Sequence, residues 1–331
     1  MKKYNISVVG ATGLVGRMVL KVMEEYNLPV NNLRLFASKN STGKTLIFHQ
    51  KEYKVEELKE GCFKETNYVI FSAGAEVSKV WAKVASSEGA IVVDNSSCFR
   101  MDDDVALIVP EINILDYHGH SKIIANPNCS TIQCVLPLKP LDEIYHLKRI
   151  IYTTYQAVSG SGKKGLDDLK RTEDGYKNEF YPYNISKTVI PEIDLFNEDG
   201  YSKEEMKMVN ETRKILHNPN IKISSTCVRV PIERSHAVSI LCEFEKEPDL
   251  DEVRKILENT ESVVLLDKPK EHIYPVSTLS TGNDKVYVGR IRKDLSSEKG
   301  LYLYTVADNL RRGAASNAVL IVKRLIEMGE E

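Results

Sequence analysis

The chain has no apolar run approaching the ~20 residues that span a bilayer, no CxxC pair, and no stripe of basic residues beyond short pairs such as Arg311-Arg312. Each absence removes a class of function. Without a long apolar run there is no transmembrane helix, and the opening MKKYNISVVGATG lacks the apolar stretch and small-residue cleavage site of a secretory signal. Lys and Arg number 45 against 47 Asp and Glu, for a net charge of −2. That balance excludes a nucleic-acid binder working through a global basic field. The six cysteines (Cys62, Cys98, Cys129, Cys134, Cys227 and Cys242) have no metal-ligand spacing, so no metal site is expected. The expectation is a cytoplasmic protein with reduced thiols. Most of these serve as small buried fillers.

What is present is ordinary globular composition, 42% hydrophobic and 28% charged over 331 residues, enough for two domains. In the first third, short apolar runs alternate with helical stretches. Tyr4–Val9, Leu33–Ala37, Tyr68–Phe71, Ile91–Val93, Leu107–Val109 and Ile123–Ala125 read as buried strands, with a helix around Val77–Glu88. Strand–helix alternation of this kind predicts a parallel, doubly wound, Rossmann-like α/β sheet. After Cys129 longer strands follow: Arg149–Tyr155, Ile221–Val230, Ala237–Phe244, Val286–Ile291 and Leu301–Val306. Helices near Leu166–Tyr176 and Leu250–Asn259 separate them. This predicts an α+β domain on a mainly antiparallel sheet. A last helix over Gly313–Met328 carries Val319, Leu320, Val322, Leu325 and Ile326 at helical spacing. The expected boundaries are 1–128 with 309–331 for the first domain and 129–308 for the second.

Gly10-Ala11-Thr12-Gly13-Leu14-Val15-Gly16 follows the first strand and opens a helix. The first glycine permits the tight turn and the second lets backbone approach a pyrophosphate. The helix N-terminus then offers unpaired N–H groups. The spacing is GxxGxxG, a variant of the dinucleotide fingerprint, and a structural glycine turn is the alternative. An NAD enzyme tends to place a carboxylate after its second strand. Here the segment is Ala37-Ser38-Lys39-Asn40-Ser41-Thr42-Gly43-Lys44, whose hydroxyls, amide and cation suit a 2′-phosphate. NADP is favoured, with NAD left open.

Asn126-Pro127-Asn128-Cys129-Ser130-Thr131 runs from a short strand into an apolar helical stretch over Ile132–Leu138. A cysteine at a helix N-terminus is shifted towards thiolate. Aldehyde oxidation needs such a sulfur: it adds to the carbonyl, hydride departs, and the resulting thioester is open to phosphate. A buried core cysteine is the competing reading. Downstream, Arg229 and His236 stand seven apart in TCVRVPIERSH. Histidine is suited to moving the protons of that chemistry, and arginine to gripping a carboxylate. A structural pair is the alternative.

Taken together, GATGLVG, FSAG, VVDNSSCFR, NPNCSTIQ, TYQAVSGSG, EEMKM, CVRVPIERSHA, VGRIRKD and DNLRRGAASN resemble, in that order, the aspartate-β-semialdehyde dehydrogenase family. The likeness runs from the first strand to the last helix and is nearer the Gram-positive-like branch. The resemblance implies Cys129 as acyl-thioester nucleophile, His236 as proton acceptor and donor, and Gln156 as holder of the intermediate. Arg229 would grip the substrate α-carboxylate and Glu204 its amine, while Arg100, Asn128 and Lys207 would bind phosphate. For the cofactor it implies Thr12, Gly13, Leu14 and Val15, then Asn40 and Ser41, and finally Ser159, Gly160 and Asn309; Gly10, Ser38, Lys39, Ser72 and Gly74, in the turns after the strands, complete the expected cofactor site. It also implies a small-molecule substrate, inorganic phosphate, and a homodimer or tetramer of dimers joined through the second domain. Asn40 stands where many relatives have arginine, and Lys187-Thr188 where a Phe-Asn pair is expected. Paralogues acting on N-acetyl-glutamyl phosphate or an acyl-CoA share this chemistry. The first usually carries a turn nearer Pro-Gly-Cys at its cysteine. A non-catalytic dinucleotide sensor is the remaining alternative, and such proteins commonly lose the nucleophile or base.

Overall fold

The computed structural model describes residues 2–330. They divide into two compact units, the first ending at Pro127 and resuming at Ala314, the second spanning Asn128–Gly313.

The first unit holds β1 (Tyr4–Val9), α1 (Leu14–Glu25), β2 (Val30–Phe36), β3 (Thr45–Phe48), β4 (Lys51–Glu56), β5 (Tyr68–Phe71), α2 (Ala75–Ser87), β6 (Ile91–Asp94), β7 (Ala106–Leu107), α3 (Pro110–Asn113) and β8 (Ile123–Ala125). Its sheet runs β3-β4-β2-β1-β5-β6-β8-β7, parallel throughout except for the antiparallel β3–β4 pair at one edge. All four residues of β5 and of β6 are buried. Continuous apolar runs are what a parallel sheet covered on both faces demands. From β1 the chain winds to β2 on one side and then to β5 on the other. The resulting crevice at the carboxyl ends of β1 and β5 is where doubly wound sheets bind ligands.

The second unit holds α4 (Cys129–Tyr145), β9 (Leu147–Ala157), α5 (Gly162–Glu173), α6 (Lys203–Ile215), β10 (Lys222–Val230), β11 (His236–Phe244), α7 (Leu250–Glu258), β12 (Val263–Leu265), α8 (Ser277–Ser280), β13 (Val286–Lys293) and β14 (Gly300–Ala307). Its sheet runs β10-β9-β11-β14-β13-β12. The three central pairings are antiparallel and the two at the edges, β10–β9 and β12–β13, are parallel. Alternate residues of β11 are buried, starting with His236, which gives the sheet one packed face. Against it lies α4, buried without a break from Ser130 to Leu138. A helix apolar on all sides belongs inside a core.

After a π-helical turn at Arg311–Ala315, α9 (Ser316–Met328) rejoins the first unit. Asn317 Nδ2 donates to Asn126 Oδ1 at 2.7 Å and to the Ile108 carbonyl at 3.0 Å, while Val319, Val322 and Leu325 enter the core beside Val19, Met23 and Ile70. The return falls later than the sequence boundary at 309. Asn309 bonds to Ser159 and Ser235 and so stays with the second unit. Among the described residues no helix is long and apolar enough to cross a membrane.

Candidate active site

In the first unit the glycine turn has the tightness that its sequence suggests. Gly10 has φ +82°, and a β-carbon on it would lie 2.8 Å from the Ser72 carbonyl, so only glycine fits. A β-carbon on Gly16 would meet the Gly10 oxygen at 2.2 Å, which lets α1 pack down on the strand. Gly13 is the N-cap of α1 and no side chain caps it, leaving the first-turn amides to a ligand. A cavity of ≈ 480 Å³ opens here, with Gly10, Thr12, Gly13, Ser38, Lys39 and Ser72 on its walls. Leu14 and Val15 form the first turn of α1, Asn40 and Ser41 lie in a short 3-10 turn, and Gly74 caps α2. The cavity size, the glycine cradle and the open helix end fit a dinucleotide. Glu57, Leu58, Val77 and Trp81 also line it; sequence reasoning did not single them out.

In the second unit Cys129 is the first residue of α4. Asn128 caps that helix, its Oδ1 accepting from Ser130 N at 2.8 Å and Thr131 N at 3.4 Å. Its own amide donates to Glu211 Oε2 at 2.6 Å. The nucleophile candidate thus stands at the positive end of a 17-residue helix whose start is held by a buried carboxylate. Behind it is Gly313, where a β-carbon would come within 2.6 Å of Cys129 Cβ.

Asn128 begins a chain of bonds that joins the other candidates. Its Nδ2 donates to Glu204 Oε1 at 2.8 Å, and Gln156 Nε2 donates to the same oxygen at 3.3 Å. Next to Gln156, the Ala157 amide donates to His236 Nδ1 at 2.9 Å while the Ala157 carbonyl accepts from Arg229 Nη1 at 2.8 Å. The main chain of one residue, through its N–H and its carbonyl, therefore orients both imidazole and guanidinium. Gly160 leaves room for them, since a β-carbon there would sit 2.9 Å from Arg229 Nη1 and 3.3 Å from His236 Nε2.

With Nδ1 accepting a backbone N–H, the neutral imidazole carries its proton on Nε2. That atom is buried and has no hydrogen-bond partner. Burial, followed by the charge of Arg229, pushes the His236 pKa well below its ordinary 6.5. The ring is neutral at physiological pH and presents an N–H to the site. A stability effect follows. Below pH 6.5 the unfolded chain binds a proton that the folded chain refuses. Stability is therefore full above that pH and falls below it by up to about 1.4 kcal/mol per pH unit. Equilibrium unfolding of His236→Gln between pH 6.5 and 5, above the range where Glu204 and Asp194 titrate, is expected to show a flatter slope than the parent chain. An identical slope would mean that the ring is not held neutral.

Arg229 is 4% exposed. Among the described residues no carboxylate pairs with it; Nη1 reaches only a carbonyl, and Nε has no partner. A buried guanidinium without a counter-ion is costly. The Arg229 guanidinium lacks one among the described residues.

The other charged groups are paired. Lys207 pairs with Asp194 Oδ2 at 2.8 Å and Glu204 Oε2 at 3.1 Å. Burial alone would raise the Glu204 carboxyl, but Lys207, Asn128 and Gln156 hold it below its ordinary value. Burial likewise opposes the Lys207 ammonium, yet Glu204 and Asp194 raise it. Glu211 and Asp194 were absent from the sequence reading. The signal for Glu211 is its helical spacing, because 204, 208, 211, 212 and 215 lie on the buried face of α6, and an acid on such a face needs a partner. Arg100 belongs to the first unit, with Nε donating to the Asn126 carbonyl at 2.9 Å and Nη2 to the Asn95 carbonyl at 2.8 Å. Lys187 and Thr188, the unexpected pair, are both exposed on the second unit.

Residues 5–120 match the family model described as semialdehyde dehydrogenase, NAD binding domain, and residues 138–312 match its dimerisation domain. An aspartate-semialdehyde dehydrogenase of Aquifex aeolicus is 49% identical over 98% of this chain and 99% of its own. The aspartate semialdehyde dehydrogenase II of Vibrio cholerae, solved in complex with ASA, superposes with a TM-score of 0.94 at 41% identity over 99% of both chains. The Candida albicans enzyme, solved with NADP, gives 0.79 at 26% identity over all of both chains. The domain pair defines a semialdehyde dehydrogenase. Within that class the chain belongs to the aspartate-semialdehyde dehydrogenase family.

Proposed function

We propose that this chain interconverts L-aspartate 4-semialdehyde and 4-phospho-L-aspartate with NADP and phosphate, working reductively in the cytoplasmic synthesis of lysine, threonine and methionine. The observation that carries the reading is the buried guanidinium of Arg229, with no carboxylate beside it among the described residues and fixed by the same residue, Ala157, that orients the neutral imidazole of His236. An amino-acid semialdehyde brings the missing anion as its α-carboxylate. Glu204 has one acceptor site left beside its three donors and takes the α-ammonium.

In the reductive direction the Cys129 thiolate attacks the carbonyl carbon of the acyl phosphate, forming the C–S bond as the C–O bond to phosphate breaks and inorganic phosphate leaves, and the acyl group is then carried as a thioester. The Nε2–H of His236 donates to the developing oxyanion of the thiohemiacetal, whose collapse to the aldehyde breaks the C–S bond and returns the Cys129 thiolate, while Gln156 holds the intermediate. The dinucleotide, when bound, gives or takes the hydride. Gly10, Thr12, Gly13, Leu14, Val15 and Ser72 hold its pyrophosphate end. Ser38, Lys39, Asn40 and Ser41 provide donors for a 2′-phosphate. Arg100, Asn128 and Lys207 receive the phosphoryl group. Lys207 gives two of its three donors to carboxylates and keeps the third, and Asn128 keeps one N–H beyond Glu204. The match of residues 138–312 to a dimerisation domain supports assembly as a homodimer or tetramer of dimers.

Steady-state rates on aspartate semialdehyde, with NADP or NAD and with phosphate present or withheld, test the reaction. Oxidation is expected to depend strictly on phosphate and to favour NADP. Oxidation that proceeds equally without phosphate means water is the acyl acceptor and ends this reading.

A further inference from the structure

Ser235, directly before His236, has φ +75° and is buried. A serine rarely takes this left-handed conformation, which persists only where the surroundings impose it. Two contacts do so here. The Ser235 amide donates to Asn309 Oδ1 at 2.9 Å, and its hydroxyl lies 2.8 Å from Thr281 Oγ1. Asn309 in turn donates through Nδ2 to Ser159 Oγ at 2.9 Å, in the 3-10 turn that follows Ala157. Backbone bonds from Val158 N to the Ile232 carbonyl and from Ser159 N to the Glu233 carbonyl close the same junction. Asn309 therefore spans two segments: the one that carries the Ala157 amide and the one that carries the imidazole accepting from it. It is 4% exposed; its Oδ1 accepts from Ser235 and Ser159, and one of its two N–H groups is given to Ser159.

We propose that Asn309 is a positioning residue for His236, holding Ser235 in its left-handed turn so that the ring stays on the Ala157 amide with Nε2–H facing the substrate. This rests on the reading of His236 as the proton carrier. It differs from a direct contact between Asn309 and the dinucleotide, the role implied by family resemblance. The strain at Ser235 offers a specific control, because glycine adopts φ +75° freely and has no need of the strut.

The test starts from the parent enzyme. Absence of turnover on aspartate semialdehyde would sink the reaction itself, whereas the ratios among variants decide the strut. Asn309→Ala is expected to lower kcat by about 10- to 100-fold, the scale of an ångström misplacement of a reacting group. KM for the dinucleotide, and its affinity read from quenching of the single tryptophan, Trp81, in the cavity wall, should stay within about threefold. Adding Ser235→Gly should restore most of kcat. Thr281→Val, on an exposed turn, removes the second contact without touching the core. It should lower kcat by about threefold, again reversed by Ser235→Gly. A tenfold loss of dinucleotide affinity with kcat preserved at saturation overturns the proposal in favour of a cofactor contact. So does failure of the glycine to rescue either variant, or an unchanged kcat in Thr281→Val.

Discussion

Cys129→Ala lowers kcat and kcat/KM together by at least about 10³-fold, as expected when an interaction made only along the reaction path is removed, and it leaves the Trp81-reported binding of NADP unchanged. The separation follows from the architecture. Cys129 opens α4 in the second unit, whereas the glycine turn, the Ser38–Ser41 segment and Trp81 belong to the first. No other thiol can substitute. Burial pushes Cys134, five residues further along the same helix, far up, and does the same to Cys242; Cys227 is pushed to about 12. Cys62 and the half-buried Cys98 are raised too, by burial first and then by nearby carboxylates. Thiolate is the nucleophile, so these five stay largely inert at neutral pH. A limiting amount of iodoacetamide at pH 7 should modify Cys129 first and abolish activity in step with that modification. Residual turnover above about 1% in the alanine variant, or alkylation spread evenly over six sites, would remove the covalent route.

Much of this arrangement was legible in the sequence because local chemistry and tertiary demand coincide. Tyr68–Phe71 and Ile123–Ala125 are apolar throughout and are strands to the residue. The Gly10–Gly16 turn encodes its own backbone. Other parts were hidden for identifiable reasons. The β3–β4 hairpin escaped because its turn residues, His49 and Gln50, take positive φ without glycine or asparagine, so the usual hairpin signal is missing. The start of α5 at Gly162 was missed, since Gly-Lys-Lys-Gly carries no apolar periodicity. At the site, Cys129, His236 and Arg229 could be named from residue type. The bonds that couple them pass through the main chain of Ala157, and a main-chain donor leaves no trace in residue identity. The tautomer of His236 was equally invisible. The sequence suggested a group that both accepts and donates a proton, and the geometry presents an N–H.

The second large effect is expected at Arg229. Arg229→Met keeps the unbranched apolar stem of the side chain and deletes the charged fork. KM for aspartate semialdehyde should rise by roughly 10²- to 10⁴-fold, the range for losing a charged, forked partner in a dry site, while kcat changes far less. Two further readouts separate recognition from damage. The first is stability. The guanidinium is buried with no carboxylate beside it among the described residues, so its removal relieves a desolvation cost and offsets the Ala157 carbonyl left without its donor. The melting temperature should hold or rise, whereas a residue kept for structure would lower it. The second is selectivity. An aldehyde without a carboxylate, such as propionaldehyde, gains nothing from Arg229, and the preference of the parent enzyme for the charged substrate should collapse in the variant. Arg229→Lys should fall between, retaining the charge but not the planar fork. The electrostatic consequence for His236 has a definite sign. After burial, the charge of Arg229 is the second cause of the depressed imidazole, so the methionine variant should protonate at a higher pH than the parent chain and lose stability less steeply below pH 6.5. An unchanged KM together with a lower melting temperature would make Arg229 a structural cation and move the substrate carboxylate to another partner.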